Sequence, residues 1–240
     1  MKKFIMLIIF LVSVGVSYVI WDNSPEYLKQ GGPLLVVGLT LLFLAFTFTI
    51  ERAFVLWRAG GKGGVSTFMR NIKSAVQEGD INRAVDACRK QGGSLGNVVG
   101  AGLERYAMEK SKHDDPKELL AEAKHAIEEA TALEAPILER NLSALSTIAS
   151  IATMIGLLGT TIGMIRSFHA MSHAGSPDAA ALAVGISEAL VNTALGLTTA
   201  IVAIILYNYF ATRVDSYQSA IEETSFEVLD LLRHSHQQES

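Results

Sequence analysis

Four apolar stretches divide the chain, and polar residues enter only the last two of them. The first two, residues 4–21 and about 33–50, are almost uniformly apolar. The other two, about 143–168 and 182–210, carry hydroxyl, amide and acidic side chains within apolar sequence. A helix that crosses a bilayer needs about 20 apolar residues, so each stretch is long enough, or nearly so, to span one. We therefore predict an all-α membrane protein.

Basic residues set the expected topology. Fourteen of the 20 lysines and arginines lie between Glu51 and Asn141. The link 171–181 has none, and only Lys29 lies between the first two stretches. The positive-inside rule then places the basic segment and the C-terminus in the cytoplasm. The first stretch follows two lysines as a signal peptide does, but no clear cleavage motif follows it, and we expect a retained helix.

The segments between the stretches have helical patterns, and Asp80 and Asp115 are predicted N-caps, with Pro116 at the first helical position. Residues 116–170 show no turn signal except Pro136, which predicts one long helix that leaves the membrane. The expected domains are an extra N-terminal transmembrane helix, or uncleaved signal-like segment, with a periplasmic link (1–30), a transmembrane helix (31–58), a cytoplasmic helical domain (59–142), a transmembrane helix (143–170), a periplasmic link (171–181), a transmembrane helix (182–210) and a cytoplasmic C-terminal helix (211–240).

Polar residues in the last two stretches form faces when they are placed at about 100° per residue. Lipid-facing helices gain nothing from such groups, so each face should meet protein or water. The third stretch has a hydroxyl face and the fourth has an acid-and-amide face; the candidate polar residues are Thr153, Thr160, Glu188, Asn192, Thr193 and Thr199. Small residues flank these faces and are candidates for close helix packing; they are Gly156, Gly159, Gly163, Gly185 and Gly196.

Glu188 is the most informative of these residues. An acid inside an apolar stretch is costly and usually marks an ion path or a partnered site. Arg166 lies close to the outer end of the third stretch, and Glu188 lies about one turn from the outer end of the fourth. Arg166 either extends to the interface or pairs with Glu188 across the hairpin, and the residues leave both arrangements open. Thr193 lies off the Glu188 face and is expected to point toward a neighbouring helix.

Composition narrows the function classes. Only 18% of residues are charged, the net charge is −4, and the chain has one cysteine, Cys88. No basic run suggests nucleic acid, and one cysteine can form neither an internal disulfide nor a CxxC metal site. The GGKGG segment at 60–64 lacks the end of a nucleotide-binding loop and is expected to be an interfacial turn. We predict no cofactor, no metal site and no enzymatic activity.

Three motifs carry a resemblance to a known family: IERAFVLWRAG, IGLLGTTIGMIRSF and GISEALVNTALGLTTAIVAIILYNYFA. With their order and spacing, they make the chain from about residue 31 onward resemble the MotA/TolQ/ExbB proton channel family, closest to ExbB and TolQ. The resemblance implies a pentamer in a bacterial inner membrane, with the single helices of an ExbD- or TolR-like dimer inside its pore. Proton-motive force then drives work through a TonB- or TolA-like protein that spans the periplasm.

The resemblance makes the six polar candidates the expected lining of a proton pathway or pore; they are Thr153, Thr160, Glu188, Asn192, Thr193 and Thr199. It also matches three of them to residues of the family's motifs. Thr160 matches the pore threonine of the GLLGT motif, and Thr193 and Glu188 match the threonine and acid of the EAL-x-x-TA motif. The family's proton-carrying aspartate belongs to the partner, and none of the four apolar stretches here contains an aspartate. Two departures are Thr153 and Val202, where family members often have proline.

Two other functions remain open at the level of sequence. One is an ion-driven stator of the flagellar or gliding type. The other is a passive helical membrane scaffold, in which the polar faces are only packing seams. The residues do not decide between H⁺ and Na⁺.

Overall fold

The computed structural model describes residues 2–112, 115–173 and 179–239, and the regular secondary structure of this part of the chain is entirely helical. The all-α prediction is confirmed. The helices are α1 (Lys2–Asp22), α2 (Glu26–Lys29), α3 (Gly32–Ala59), α4 (Val65–Gln77), α5 (Ile81–Gln91), α6 (Gly93–Lys110), α7 (Pro116–Glu139), α8 (Leu142–His173) and α9 (Ala179–Glu239).

Three of these helices, α3, α8 and α9, contain a stretch that is long and apolar enough to cross a membrane. The apolar part of α1 that meets the same criteria of composition, Leu7–Asp22, is shorter. Most of its large apolar side chains are exposed, but Ser13 and Ser17 are buried, and the Ser17 hydroxyl donates to the Ser13 carbonyl at 2.7 Å. The expected link 171–181 lies partly outside the described residues.

The chain forms two compact units. The membrane unit comprises Met1–Arg52 and Asn141–Tyr209, and the helical unit comprises Ala53–Arg140 and Phe210–Ser240. Two of the helices, α3 and α9, contribute to both units. As the sequence pattern predicts, α9 runs without a break through 61 residues from the apolar stretch into the polar C-terminal segment.

The prediction of one long helix from residue 116 into the membrane is wrong. Helix α7 ends at Glu139 and α8 begins at Leu142. The break falls at Asn141, whose φ of 60° is left-handed, a conformation that asparagine tolerates better than most residues. Its side-chain amide donates to Glu51 at 2.5 Å. Pro136 lies inside α7 and does not end it.

Two helices of the helical unit, α5 and α7, begin at the N-caps that the sequence predicts. The Asp80 carboxylate accepts a hydrogen bond from the backbone of Arg83, and the Asp115 carboxylate accepts one from the backbone of Lys117, with both distances at 2.9 Å. Each cap satisfies an N–H group that the first helical turn leaves without a partner. The apolar faces of α4–α7 form the buried core, which includes Phe68, Ile72, Val85, Val98, Leu103, Tyr106, Leu119 and Ile127.

Candidate functional site

Helices α8 and α9 pack in antiparallel fashion along a seam of glycines. A Cβ atom placed on Gly163 would lie 2.5 Å from the Gly185 carbonyl oxygen, and one on Gly196 would lie 2.6 Å from the Ala152 carbonyl oxygen. Gly156 lies against Gly196, and Gly159 lies against the side chain of Asn192. Small residues let two backbones approach closely in a membrane, where no hydrophobic force drives helices together.

Hydroxyl groups cross this seam. Thr193 donates to the carbonyl of Gly156 at 3.0 Å, while also lying 3.1 Å from the carbonyl of Ala189 in its own helix. Ser167 donates to the carbonyl of Leu182 at 3.2 Å. Thr193 therefore points to the neighbouring helix, as its position on the helical wheel suggests.

Glu188 is buried, with 4% of its surface exposed, and is paired with Arg166. The Arg166 guanidinium donates to the Glu188 carboxylate at 2.5 Å, while 56% of the arginine side chain is exposed. Of the two arrangements left open by the sequence, pairing across the hairpin is the one observed. Because the carboxylate is buried and the guanidinium reaches the surface, the pair satisfies the acid without burying both charges fully.

The N-terminal end of α3 lies against this ion pair. Gly32 has a φ of 62°, and a Cβ atom there would lie 3.1 Å from the Glu188 carboxylate. One turn along α9, the Asn192 amide donates to the carbonyl of Gly31 at 2.9 Å and to that of Glu188 at 3.0 Å. These contacts bring the start of α3, the end of α8 and the first turns of α9 into one polar cluster, the Glu188 cluster.

The candidate polar residues lie on two opposite edges of the α8–α9 hairpin. Around α9, Asn192 lies about 40° from Glu188, while Thr193 lies about 140° away, beyond the glycines. Around α8, Thr160 lies about 120° from Arg166 on the same side of the seam as Thr193. Thr153 shares that side and, like Thr160, is half-buried. We call Thr153, Thr160 and Thr193 the threonine edge; it faces away from α3.

The two edges differ in how their polar groups are satisfied. On the threonine edge, Thr160 donates to the carbonyl of Leu157 at 2.6 Å and Thr153 donates to that of Ala149 at 3.1 Å, both within α8. On the α3 side, Thr199 is fully buried, and its hydroxyl has no hydrogen-bond partner among the described residues.

Two groups of residues that the sequence pattern does not indicate also contribute to the polar contacts of the membrane unit. Gly31 contributes its backbone carbonyl, and Gly32 contributes the absence of a Cβ atom beside Glu188. Neither contribution leaves a pattern in the side chains. Near the junction of α7 and α8, Asn141 binds Glu51, and Arg52 is 99% buried in the same region. Over the described ranges, no group of three or more potential metal ligands comes together.

Three apolar helices with acid, amide and hydroxyl groups buried between them define a polytopic helical membrane protein. A sequence model of the MotA/TolQ/ExbB proton channel family matches residues 93–223, more than half of the chain. The chain therefore belongs to this family, and the resemblance read from its motifs is confirmed.

Individual relatives agree with this assignment. The biopolymer transport protein ExbB of Pseudomonas putida is 29% identical over 216 residues, which cover 88% of this chain and 64% of that protein. ExbB of Salmonella typhimurium is 39% identical over 85 residues, 35% of each protein. TolQ of Pseudomonas aeruginosa is 27% identical over 197 residues, 80% of this chain and 85% of that protein.

The chain thus spans less than two thirds of the length of both ExbB relatives. The family and its relatives support a proton-channel-type membrane subunit as the class of this chain. That class belongs to channels and transport systems rather than to enzymes.

Proposed function

We propose that this chain is the channel subunit of an inner-membrane complex that uses proton-motive force to drive TonB- or TolA-dependent work at the outer membrane. The observation that carries the proposal is the threonine edge. It places hydroxyl groups along the membrane part of the α8–α9 hairpin, on the side away from α3, where another helix or a pore has room to meet them.

The proposal assigns the proton-carrying carboxylate to a partner. None of the apolar stretches contains an aspartate, and Glu188 is held by Arg166. In the proposed complex, five copies surround the single helices of an ExbD- or TolR-like dimer, and the threonine edge of each copy faces those helices. The helical unit lies in the cytoplasm, where its basic residues favour it.

The six polar candidates take two roles in this proposal. Thr153, Thr160 and Thr193 form the wall of the proton path. Glu188 and Asn192 form a polar support behind it, which fixes the start of α3 against the hairpin and so holds the wall in place, and Thr199 is buried on the same side of α9. The seam glycines set the distance between α8 and α9.

Proton flux into liposomes that contain the chain and a single-helix partner tests these roles. Thr160→Val and Thr193→Val should each abolish partner-dependent flux, because valine keeps the volume of threonine but removes its hydroxyl. Assembly with the partner should persist. Thr198→Val is a matched control, since Thr198 is exposed on another side of α9 and bonds only within its own helix.

Undiminished flux in both variants would show that the threonine edge is only a packing seam, as in a passive scaffold. The identity of the partner distinguishes the proposed function from that of an ion-driven stator. A co-purifying protein with one transmembrane helix and a peptidoglycan-binding domain indicates a stator, and one that binds a TonB- or TolA-like protein indicates the proposed function.

A further inference from the structure

An apolar groove of about 470 Å³ lies between α7 and the C-terminal part of α9, within the helical unit. Both helices line it with residues that share one helical face; they include Ile127, Ala132 and Ala135 of α7 and Ser225, Phe226 and Leu229 of α9. Past Ala135, the Gln218 amide donates to the Glu139 carboxylate at 2.8 Å and links the two helices there. The proposed function makes no use of this groove.

The chain does not complete this groove by itself. Phe226 is 71% exposed although it is a large aromatic residue, whereas Ser225 beside it is only 7% exposed. The Ser225 hydroxyl has no hydrogen-bond partner among the residues that the structure describes. Burying an unpaired hydroxyl is costly, and exposed aromatic residues are typical anchor points of interfaces. A bound peptide segment covers Phe226 and brings backbone N–H and C=O groups that can pair with Ser225.

The rim of the groove is acidic. The part of α9 from 222 to 230 has four acids and no lysine or arginine; the acids are Glu222, Glu223, Glu227 and Asp230. Glu222 lines the groove and forms no ion pair within residues 2–112, 115–173 and 179–239. On the α7 wall, Lys124 and Glu128 lie 3.7 Å apart and offset each other's charge. An occupant with basic residues beside its apolar ones therefore suits this groove.

The proposed function supplies an occupant with this chemistry. It places the helical unit in the cytoplasm, together with a partner that has one transmembrane helix. By the positive-inside rule, the cytoplasmic flank of such a helix is enriched in lysine and arginine. This flank therefore lies on the same side of the membrane as the groove and carries the charge that complements Glu222.

We propose that the groove between α7 and α9 binds the cytoplasmic flank of the single-helix partner, as a short amphipathic segment with apolar and basic side chains. This inference rests on the proposed function and names the contact that the helical unit contributes to the complex. The apolar side chains of the segment pack on Phe226 and Leu229 over the small Ala132 and Ala135. A lysine or arginine of the segment pairs with Glu222.

Photo-crosslinking of the full-length chain, co-expressed with the single-helix protein that co-purifies with it, identifies the occupant. p-Benzoyl-phenylalanine in place of Phe226 should crosslink to residues on the cytoplasmic side of the partner's transmembrane helix, which mass spectrometry locates. The same group in place of Met108, which is 55% exposed in α6 outside the groove, should not. Ala135→Trp, which fills the groove, should abolish the crosslink from position 226.

A fluorescent peptide with the sequence of that flank measures affinity for the full-length protein in nonionic micelles, with empty micelles as the blank. Phe226→Ala should weaken binding about tenfold, as expected for an aromatic anchor, while thermal stability is unchanged because Phe226 is exposed. Glu222→Lys should weaken binding about fivefold, since it turns an attraction into a repulsion. Glu223→Lys is the matched control, because it makes the same charge change at an exposed position outside the groove lining.

The outcomes separate this contact from the proposed function. The proposal is overturned if position 226 gives no crosslink, or crosslinks to a second copy, to lipid or to an unrelated protein. Peptide binding that Phe226→Ala and Glu222→Lys leave unchanged overturns it as well. If Thr160→Val and Thr193→Val still abolish proton flux in those cases, the proposed function stands without this contact. If no single-helix protein co-purifies, the proposed function fails and this proposal fails with it.

Discussion

The Arg166–Glu188 ion pair predicts an asymmetry between its two partners. Replacing Arg166 with methionine leaves a carboxylate that is 4% exposed without its counter-ion. Removing one partner of a fully buried pair costs about 3–5 kcal/mol, while exposed pairs contribute about 0–1 kcal/mol. Since 56% of the Arg166 side chain is exposed, we expect an intermediate loss of about 2 kcal/mol in the free energy of unfolding.

The opposite replacement should cost less. In Glu188→Gln, the arginine that remains can turn toward water or the membrane interface, so no buried charge is left unpaired. We expect a loss of about 1 kcal/mol or less. The double variant Arg166→Met/Glu188→Gln should be more stable than Arg166→Met alone, because it removes the stranded charge.

Unfolding of the full-length protein in mixed micelles of mild detergent and dodecyl sulfate, followed by circular dichroism, measures these differences. Arg70→Met is the control, since this exposed arginine has no ion pair within the described residues; its effect should stay within about 0.5 kcal/mol. Equal losses in the two single variants, or losses that simply add in the double variant, would refute the assignment of Glu188 as a buried, partnered carboxylate.

Three further predictions concern stability. Gly163→Ala should destabilise the protein by about 1–3 kcal/mol because its Cβ meets the Gly185 carbonyl, whereas Gly15→Ala, with open space around it, should not; unfolding in the same micelles compares them. Asp80→Ala should cost about 1 kcal/mol through loss of the α5 cap, measured by thermal unfolding. Burial raises the pKa of the Cys88 thiol from 9.0 to about 12, so the folded protein keeps a proton that the unfolded chain loses. Stability should fall between those pH values by up to about 1.4 kcal/mol per pH unit relative to Cys88→Ala, and equal slopes in alkaline denaturation would contradict this.

The seam glycines show which features of helix packing can be predicted from a helical pattern alone. Their spacing along α8 and α9 marks two faces suited to close packing, and the structure places these faces against each other. The pattern does not state which glycine meets which backbone atom, because that depends on the relative shift of the two helices. The contact of Gly159 with Asn192 is therefore visible only in three dimensions.

The break between α7 and α8 shows why local signals mislead. Pro136 is the residue in this region with a known tendency to disturb helices, yet the helix continues through it. The helix is interrupted at Asn141, where a left-handed backbone combines with a hydrogen bond to Glu51. A contact between residues 90 positions apart leaves no signal in the local sequence.

The sequence by itself determined the helical class, the apolar stretches, the helix caps at Asp80 and Asp115, and the family. These features depend on composition, periodicity and neighbouring residues, which the chain carries wherever it folds. Only the tertiary structure divided the polar candidates into the threonine edge and the Glu188 cluster. That division depends on the position of α3. The carbonyl of Gly31 and the Cβ-free backbone of Gly32 lie against the face of α9 that carries Glu188 and Asn192, and this contact buries that face.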